Sequence, residues 1–183
     1  MSRITAIAPE NATGQSKDLL AAVKSKLGMV PNLMRGLAHS PAALNAYLQF
    51  SGELARGVLP AQTREQISLA VGEANECGYC VAAHSTLGKM SGLDAEQIID
   101  ARKGTAIDPK TNAILHFSRK TVEARGHVSD DDLSALRAAG ASDAEITEVV
   151  ANVALNIFTN YFNHVAETVI DFPKAEPLAA LPH

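Results

Sequence analysis

Residues 63–84 read TREQISLAVGEANECGYCVAAH. Thr63 with Gln66 has the form of a capping box ahead of a long apolar run. That pattern predicts one helix from about Arg64 to about Lys89. An α-helix turns about 100° per residue. Cys77, Cys80 and His84 then share a stripe roughly 60° wide. Glu73 extends the stripe, whereas Glu65 lies an earlier turn or two away and off to one side.

Working outward, almost every other segment also reads as helix. Residues 16–27 are periodic and stop at Gly28. Ser40-Pro41 is a start signal, an N-cap hydroxyl with proline at the first helical position, and that helix should end at Gly57. Asp94 with Gln97 opens another, ending near Gly104. Pro109 to Arg125 follows and is stopped by Gly126. Ser129 with Asp132 opens a short helix ending at Gly140. Ser142 with Glu145 opens the last, which runs towards Thr168. The tail from Phe172, rich in Pro and Ala, is expected on the surface or on a neighbouring subunit. No segment alternates as a strand does. The expected fold class is all-α, a single domain over residues 1–183 built as a bundle of about seven or eight helices.

Composition narrows the function classes. The 183 residues are 46% hydrophobic and 20% charged, with a formal charge of −4. An acidic balance argues against a nucleic-acid surface built on phosphate contacts. No apolar run is long enough to span a membrane. The opening MSRITAIAPENATG lacks the apolar core of a signal peptide, so the expected location is cytoplasmic. No GxGxxG or P-loop pattern is present, so no nucleotide cofactor is expected.

The two cysteines, three positions apart, are the only ones in the chain. A disulfide between them would close almost no loop, so a stabilising role is not indicated. Close thiols in a reducing compartment point to redox catalysis or metal binding. The thiolate is the reactive species. A neighbouring imidazole can take the thiol proton, and a carboxylate can orient that imidazole. A sulfenic acid formed on one cysteine can condense with the other to a disulfide. Two Cys, one His and a Glu also suit zinc, although structural zinc draws its ligands from separated segments; no bound metal is expected. On helical spacing alone the carboxylate stays open between Glu65 and Glu73.

A weak repeat is visible at an offset of 80 residues, over about 61–90 and 141–170. Glu65, Cys77, Cys80 and His84 align with Glu145, Ile157, Asn160 and His164. The second copy lacks the thiols, so it would support the fold or line the pocket. His164 reads as a buried core histidine at least as readily as a pocket residue. Asn160 and Asn163 could cap buried polar groups or bind substrate. Phe158, Tyr161 and Phe162 read as packing residues.

The spacing Glu65-x11-Cys77-x2-Cys80-x3-His84 resembles the alkylhydroperoxidase D-like (AhpD-like) branch of the carboxymuconolactone decarboxylase family. KLGMVPNLMRGLAHSPAALNAYLQF and NIFTNYFNHVAETVIDFP resemble the N- and C-terminal regions of its peroxidase-related members. The resemblance implies an all-α AhpD-like bundle with a duplicated helical unit, assembled as a homo-oligomer (trimer or hexamer). It implies a cofactor-free thiol peroxidase in which Cys80 attacks peroxide and Cys77 resolves. His84 would accept the proton and Glu65 would complete the relay. The partners implied are a peroxide and an external dithiol reductant, lipoyl or thioredoxin-like. Alkylhydroperoxidase D tends to carry histidine between the cysteines, where this chain has Tyr79. The alternatives are a lactone-acid lyase, which needs no thiol pair, and a redox-sensing or zinc-binding module without catalysis.

Overall fold

Side-chain caps start most of the helices. Ser40 accepts from Ala43 N, and Asp108 accepts from Thr111 N. Asp94–Gln97, Ser129–Asp132 and Ser142–Glu145 each close a reciprocal capping box. Each box satisfies two backbone donors that the first helical turn leaves without partners. At the other end, the first helix stops at Gly28 and the sixth at Gly104, both left-handed.

The computed structural model describes residues 2–178. Among them, one 3-10 turn (Pro9–Asn11) precedes nine α-helices, and there is no strand. They are α1 (Gly14–Leu27), α2 (Asn32–Leu37), α3 (Pro41–Leu54), α4 (Ala61–Ala74), α5 (Gly78–Met90), α6 (Ala95–Lys103), α7 (Pro109–Glu123), α8 (Asp130–Ala138) and α9 (Asp143–Ala166). The all-α expectation therefore holds. No helix among the described residues is long and apolar enough to cross a membrane.

Helix α4 is the axis of the bundle, packed against α5, α6, α7 and α9. Gln66 through Gly72 are buried without a break, as expected of a helix enclosed on every side. One core cluster gathers Ile67, Leu69, Leu115 and Val149 around α4 and α7. A second gathers Leu20, Leu33, Leu37 and Leu44 against Cys77, Tyr79 and Cys80. In the second, α2 approaches α9 closely. A Cβ added at Gly36 would lie 2.9 Å from Phe162 Cε1, so the glycine makes room for the aromatic ring.

Four expectations are corrected. First, Thr63 and Gln66 form no capping box. The helix begins at Ala61 with Pro60 at its N-cap, and both side chains are buried inside it. The carboxylate of Glu148 receives Val58 N and Leu59 N at 2.8 and 3.0 Å, tying this entry to α9. Second, the single helix of 64–89 is two helices. Glu76 takes φ 54°. Cys77 N donates to Gly72 O at 2.8 Å, and Glu76 N to Glu73 O at 3.0 Å. That pattern is a Schellman stop with glutamate in the position glycine favours. Third, the described residues hold nine helices rather than seven or eight, because that break adds one and VPNLMRGL supplies the short helix α2, which its proline and glycine hide from a periodicity reading. Fourth, the tail does not begin on the outside. Phe172 meets Tyr79 edge to face, centroids 5.9 Å apart. The expectation for the last five positions, 179–183, falls outside the described residues.

Candidate active site

The break between α4 and α5 builds the site. Because the chain reverses at Asn75–Cys77, residues from the two helices face each other instead of following one another along one rod. Glu65, on the second turn of α4, meets His84 on α5, with Oε2 2.8 Å from Nδ1. Both side chains are about four-fifths buried (20% and 19% exposed), so their contact is only partly screened by water. Glu73 lies elsewhere: its Oε2 accepts from Arg102 Nε at 2.9 Å, and Arg102 is almost fully buried. The ambiguity between the carboxylates is thereby settled geometrically, in favour of Glu65 as the partner of His84.

The cysteines are brought together, but not on one helical stripe. Cys77 is the N-cap of α5, outside the helix, with φ −88° and ψ 87°. Cys80 lies inside the first turn of α5, and His84 lies one turn further on the same face. Both cysteines are thiols, with Sγ atoms 2.8 Å apart. A disulfide bond is about 2.05 Å long, so under ~1 Å of further approach would form one. Both are about 1–2% exposed.

Two thiols in contact titrate as a pair. Hydrogen bonding with Cys80 is the main influence that draws Cys77 down to about 6, against an opposing push from burial. His164, although exposed, adds a favourable charge for the Cys77 anion. The same contact, followed by burial, pushes Cys80 well above the usual thiol range. The first proton of the pair therefore leaves readily, and the second is held. The positive end of α5 also favours a charge here.

Three further groups complete the surroundings. Asn163 Nδ2 on α9 donates to Cys80 Sγ at 3.3 Å. Asn160 is wholly buried next to it, its Oδ1 accepting from Asn75 Nδ2 at 2.8 Å. Tyr47 on α3 joins Glu65 and His84 in lining a cleft of about 70 Å³, together with Ser68, Asn156 and Thr159. Burial, then the charges of Glu65 and Cys80, hold the Tyr47 hydroxyl protonated. A water occupies about 30 Å³ of liquid, so this cleft admits about two such molecules or one small polar group. A wider cleft of about 700 Å³ lies over α6–α8, lined by Lys103, His116, Arg119 and Lys120 among others. It holds none of the motif residues.

Sequence reasoning passed over Tyr47 and left Asn160 and Asn163 undecided. The available signal was Asn152, Asn156, Asn160 and Asn163, one polar residue every three or four positions in an otherwise apolar helix. All four are buried. His164 corrects the core reading, being exposed. Phe158 and Tyr161 are exposed too, and only Phe162 packs inward. Glu145, the repeat counterpart of Glu65, closes its capping box and pairs with Lys110 Nζ at 2.6 Å. The second window is one continuous helix where the first is broken. No group of three or more His, Cys, Asp or Glu among the described residues could hold a metal ion.

Residues 41–123 match the model of the carboxymuconolactone decarboxylase family. No curated protein matches the chain. Among solved structures, the chain is similar to an uncharacterized peroxidase-related protein with an alkylhydroperoxidase AhpD core from Ralstonia eutropha JMP134. The identity is 26%, covering 93% of this chain and 92% of that one, with TM-score 0.84. An uncharacterized peroxidase-related protein from Silicibacter sp. TM1040 is 22% identical over 91% of each chain, with TM-score 0.79. The debrominase Bmp8, in complex with 2,3,4-tribromopyrrole, shares the fold at 17% identity. It covers 92% of this chain and 91% of that one, with TM-score 0.80.

Proposed function

Since the chain is an AhpD-like protein of the carboxymuconolactone decarboxylase family, we propose that it is a thiol-dependent peroxidase running a Cys77/Cys80 dithiol–disulfide cycle. The observation that carries this reading is a pair of thiols in contact at the start of α5, with His84 one turn further on the same helix, paired to Glu65 and lining a small cleft. His84, with Nδ1 held by Glu65, exchanges protons through Nε2. His84 takes the proton of Cys80 and leaves the Cys80 thiolate. The Cys80 thiolate attacks the distal peroxide oxygen, the O–O bond breaks, and the alkoxide leaves with a proton from His84. Cys77 then attacks the Cys80 sulfenic acid, forming the disulfide and releasing water. An external dithiol, lipoyl or thioredoxin-like, returns two electrons and two protons. No resident cofactor takes part.

We place the protein in the cytoplasm, a reducing compartment in which a dithiol of this kind is returned to its thiol form. We also assign the outer face of α9 to contact with further copies in a trimer or hexamer. Val150, Phe158, Tyr161 and Val165 are all exposed there along one stripe, an apolar patch of the kind that marks an association surface. Stopped-flow mixing of reduced protein with hydrogen peroxide and organic hydroperoxides, followed by thiol counting, tests the reaction. Rapid loss of two thiols per chain is expected, and Cys80→Ser should abolish it. A rate no faster than that of free cysteine, or full turnover by Cys80→Ser with a suitable reductant, would refute it.

A further inference from the structure

Buried polar atoms without partners are rare, and each asks for an explanation. Among the described residues, two of the four buried side-chain atoms without a hydrogen bond, Asn160 Nδ2 and Asn163 Oδ1, sit beside the thiols. They belong to two amides one turn apart on α9. Asn163 points its Nδ2 at Cys80 Sγ, 3.3 Å away. Asn160 is turned by Asn75, whose Nδ2 occupies the Asn160 Oδ1 at 2.8 Å. That leaves the Asn160 amide N–H groups without any protein acceptor except the sulfur nearby. Neutral thiol sulfur is a weak acceptor, so two buried amide donors are poorly used in the resting Cys80 thiol. They match a thiolate, a far stronger acceptor.

We propose that Asn163 and Asn160 are catalytic residues that hold negative charge on the Cys80 sulfur, with Asn75 as the residue that positions Asn160. This rests on the dithiol cycle proposed above and assigns it two steps. In the first, the amides stabilise the Cys80 thiolate that attacks peroxide. In the second, the external thiolate attacks Cys77 Sγ and the S–S bond breaks. The bonding electron pair leaves on Cys80 Sγ, again between the two amides. The second external thiol then displaces Cys77 from the mixed disulfide, giving the oxidised donor and the reduced pair. Once Cys77 is bound in the mixed disulfide it no longer raises Cys80 by hydrogen bond or charge, so the amides favour Cys80 as the leaving sulfur and direct the reductant to Cys77. Both amides act to lower the pKa of Cys80, against the push from Cys77 and burial.

The test is made on the single-thiol Cys77→Ser protein, so that only Cys80 titrates. Ultraviolet thiolate absorbance is followed against pH for this protein and for the same protein carrying Asn163→Leu or Asn163→Ala. Loss of the donor should raise the Cys80 midpoint by about one unit, a tenfold loss of thiolate at a fixed pH below it. Asn75→Ala should raise it by less. A merely structural asparagine gives the opposite sign, because loosened packing admits water and lowers a buried thiol. If the leucine variant does not fold, the alanine variant decides. In the two-thiol protein, Asn163→Ala should slow reduction of the disulfide by dithiothreitol about tenfold. An unchanged or lowered midpoint in the folded variants overturns the inference. The titration contains no peroxide: failure of peroxide turnover in the unmodified protein would sink the proposed function while leaving this measurement to stand or fall alone.

Discussion

Exchanging Glu65 and Glu73 for glutamine, one at a time, should separate a relay carboxylate from a structural one. Glu65 faces the His84 ring at 2.8 Å, with each side chain about one-fifth exposed. A hydrogen bond to a charged partner is worth roughly 1.5–3 kcal/mol, and partial exposure places this one in the lower half. Glutamine keeps the shape but cannot balance an imidazolium, so about 1.5–2 kcal/mol of transition-state stabilisation is lost. That is a ~10- to 30-fold fall in peroxide turnover. The melting temperature should hardly move, since no buried cation is stranded. Glu73 is the reverse case. Its partner Arg102 is 6% exposed and would be left without its counter-charge. Breaking a buried pair costs about 3–5 kcal/mol. Glu73 is itself 27% exposed and glutamine still accepts a hydrogen bond, which reduces the loss to about 1–2 kcal/mol. For a chain of this length that lowers the melting temperature by ~2–8 °C. Steady-state turnover with a saturating dithiol and thermal unfolding by circular dichroism give the two readouts. Full turnover in Glu65→Gln, or lost turnover with an unshifted melt in Glu73→Gln, would refute the assignment.

Other outcomes follow from the same geometry. Cys77 is drawn down to about 6, so thiolate absorbance of the reduced protein should rise through pH ~6, not near the ~8.5 of a free thiol. A depressed pKa stabilises the fold above the unfolded value and loses that contribution as pH falls through the folded one. The stability advantage over Cys77→Ser should therefore shrink between about pH 9 and pH 6, as melts across that window would show. Glu76→Gly relieves a left-handed glutamate and should add about 0.5–1 kcal/mol, a melt ~1–4 °C higher; a lower melt would refute the strain argument. Tyr79→Phe removes a hydroxyl that accepts from Leu33 N at 3.1 Å and donates to Asp171 Oδ1 at 2.8 Å. It should cost about 1–3 kcal/mol and speed proteolysis after Asp171, checked by denaturant unfolding and limited digestion. Tyr161→Glu places a charge on the exposed stripe of α9 and, if copies associate there as proposed, should give smaller species in light scattering. Unchanged mass would move the interface elsewhere.

Periodicity and capping chemistry are local, and what they specify was legible in the chain. The boxes at Asp94, Ser129 and Ser142 formed as read, because each needs only residues three apart. That Cys80 and His84 stand one turn apart on the same helix was legible for the same reason. What stayed hidden depended on contacts between distant segments. Nothing near Glu76 announces a helix stop, since the position lacks glycine. The reversal there is sustained by Asn75 on Asn160 and by the packing of α5 onto α4. Once the chain reverses, Glu65 rather than Glu73 meets His84, Cys77 leaves the helix, and the asparagines of α9 close over Cys80. Residue types and spacing therefore specified the helices and nominated the thiols, because those signals act within one turn. The choice of carboxylate, the amide donors and the place of Tyr47 came only with the assembled bundle, because contacts between helices decide them, 19 residues apart for Glu65 with His84 and more than 80 for the asparagines.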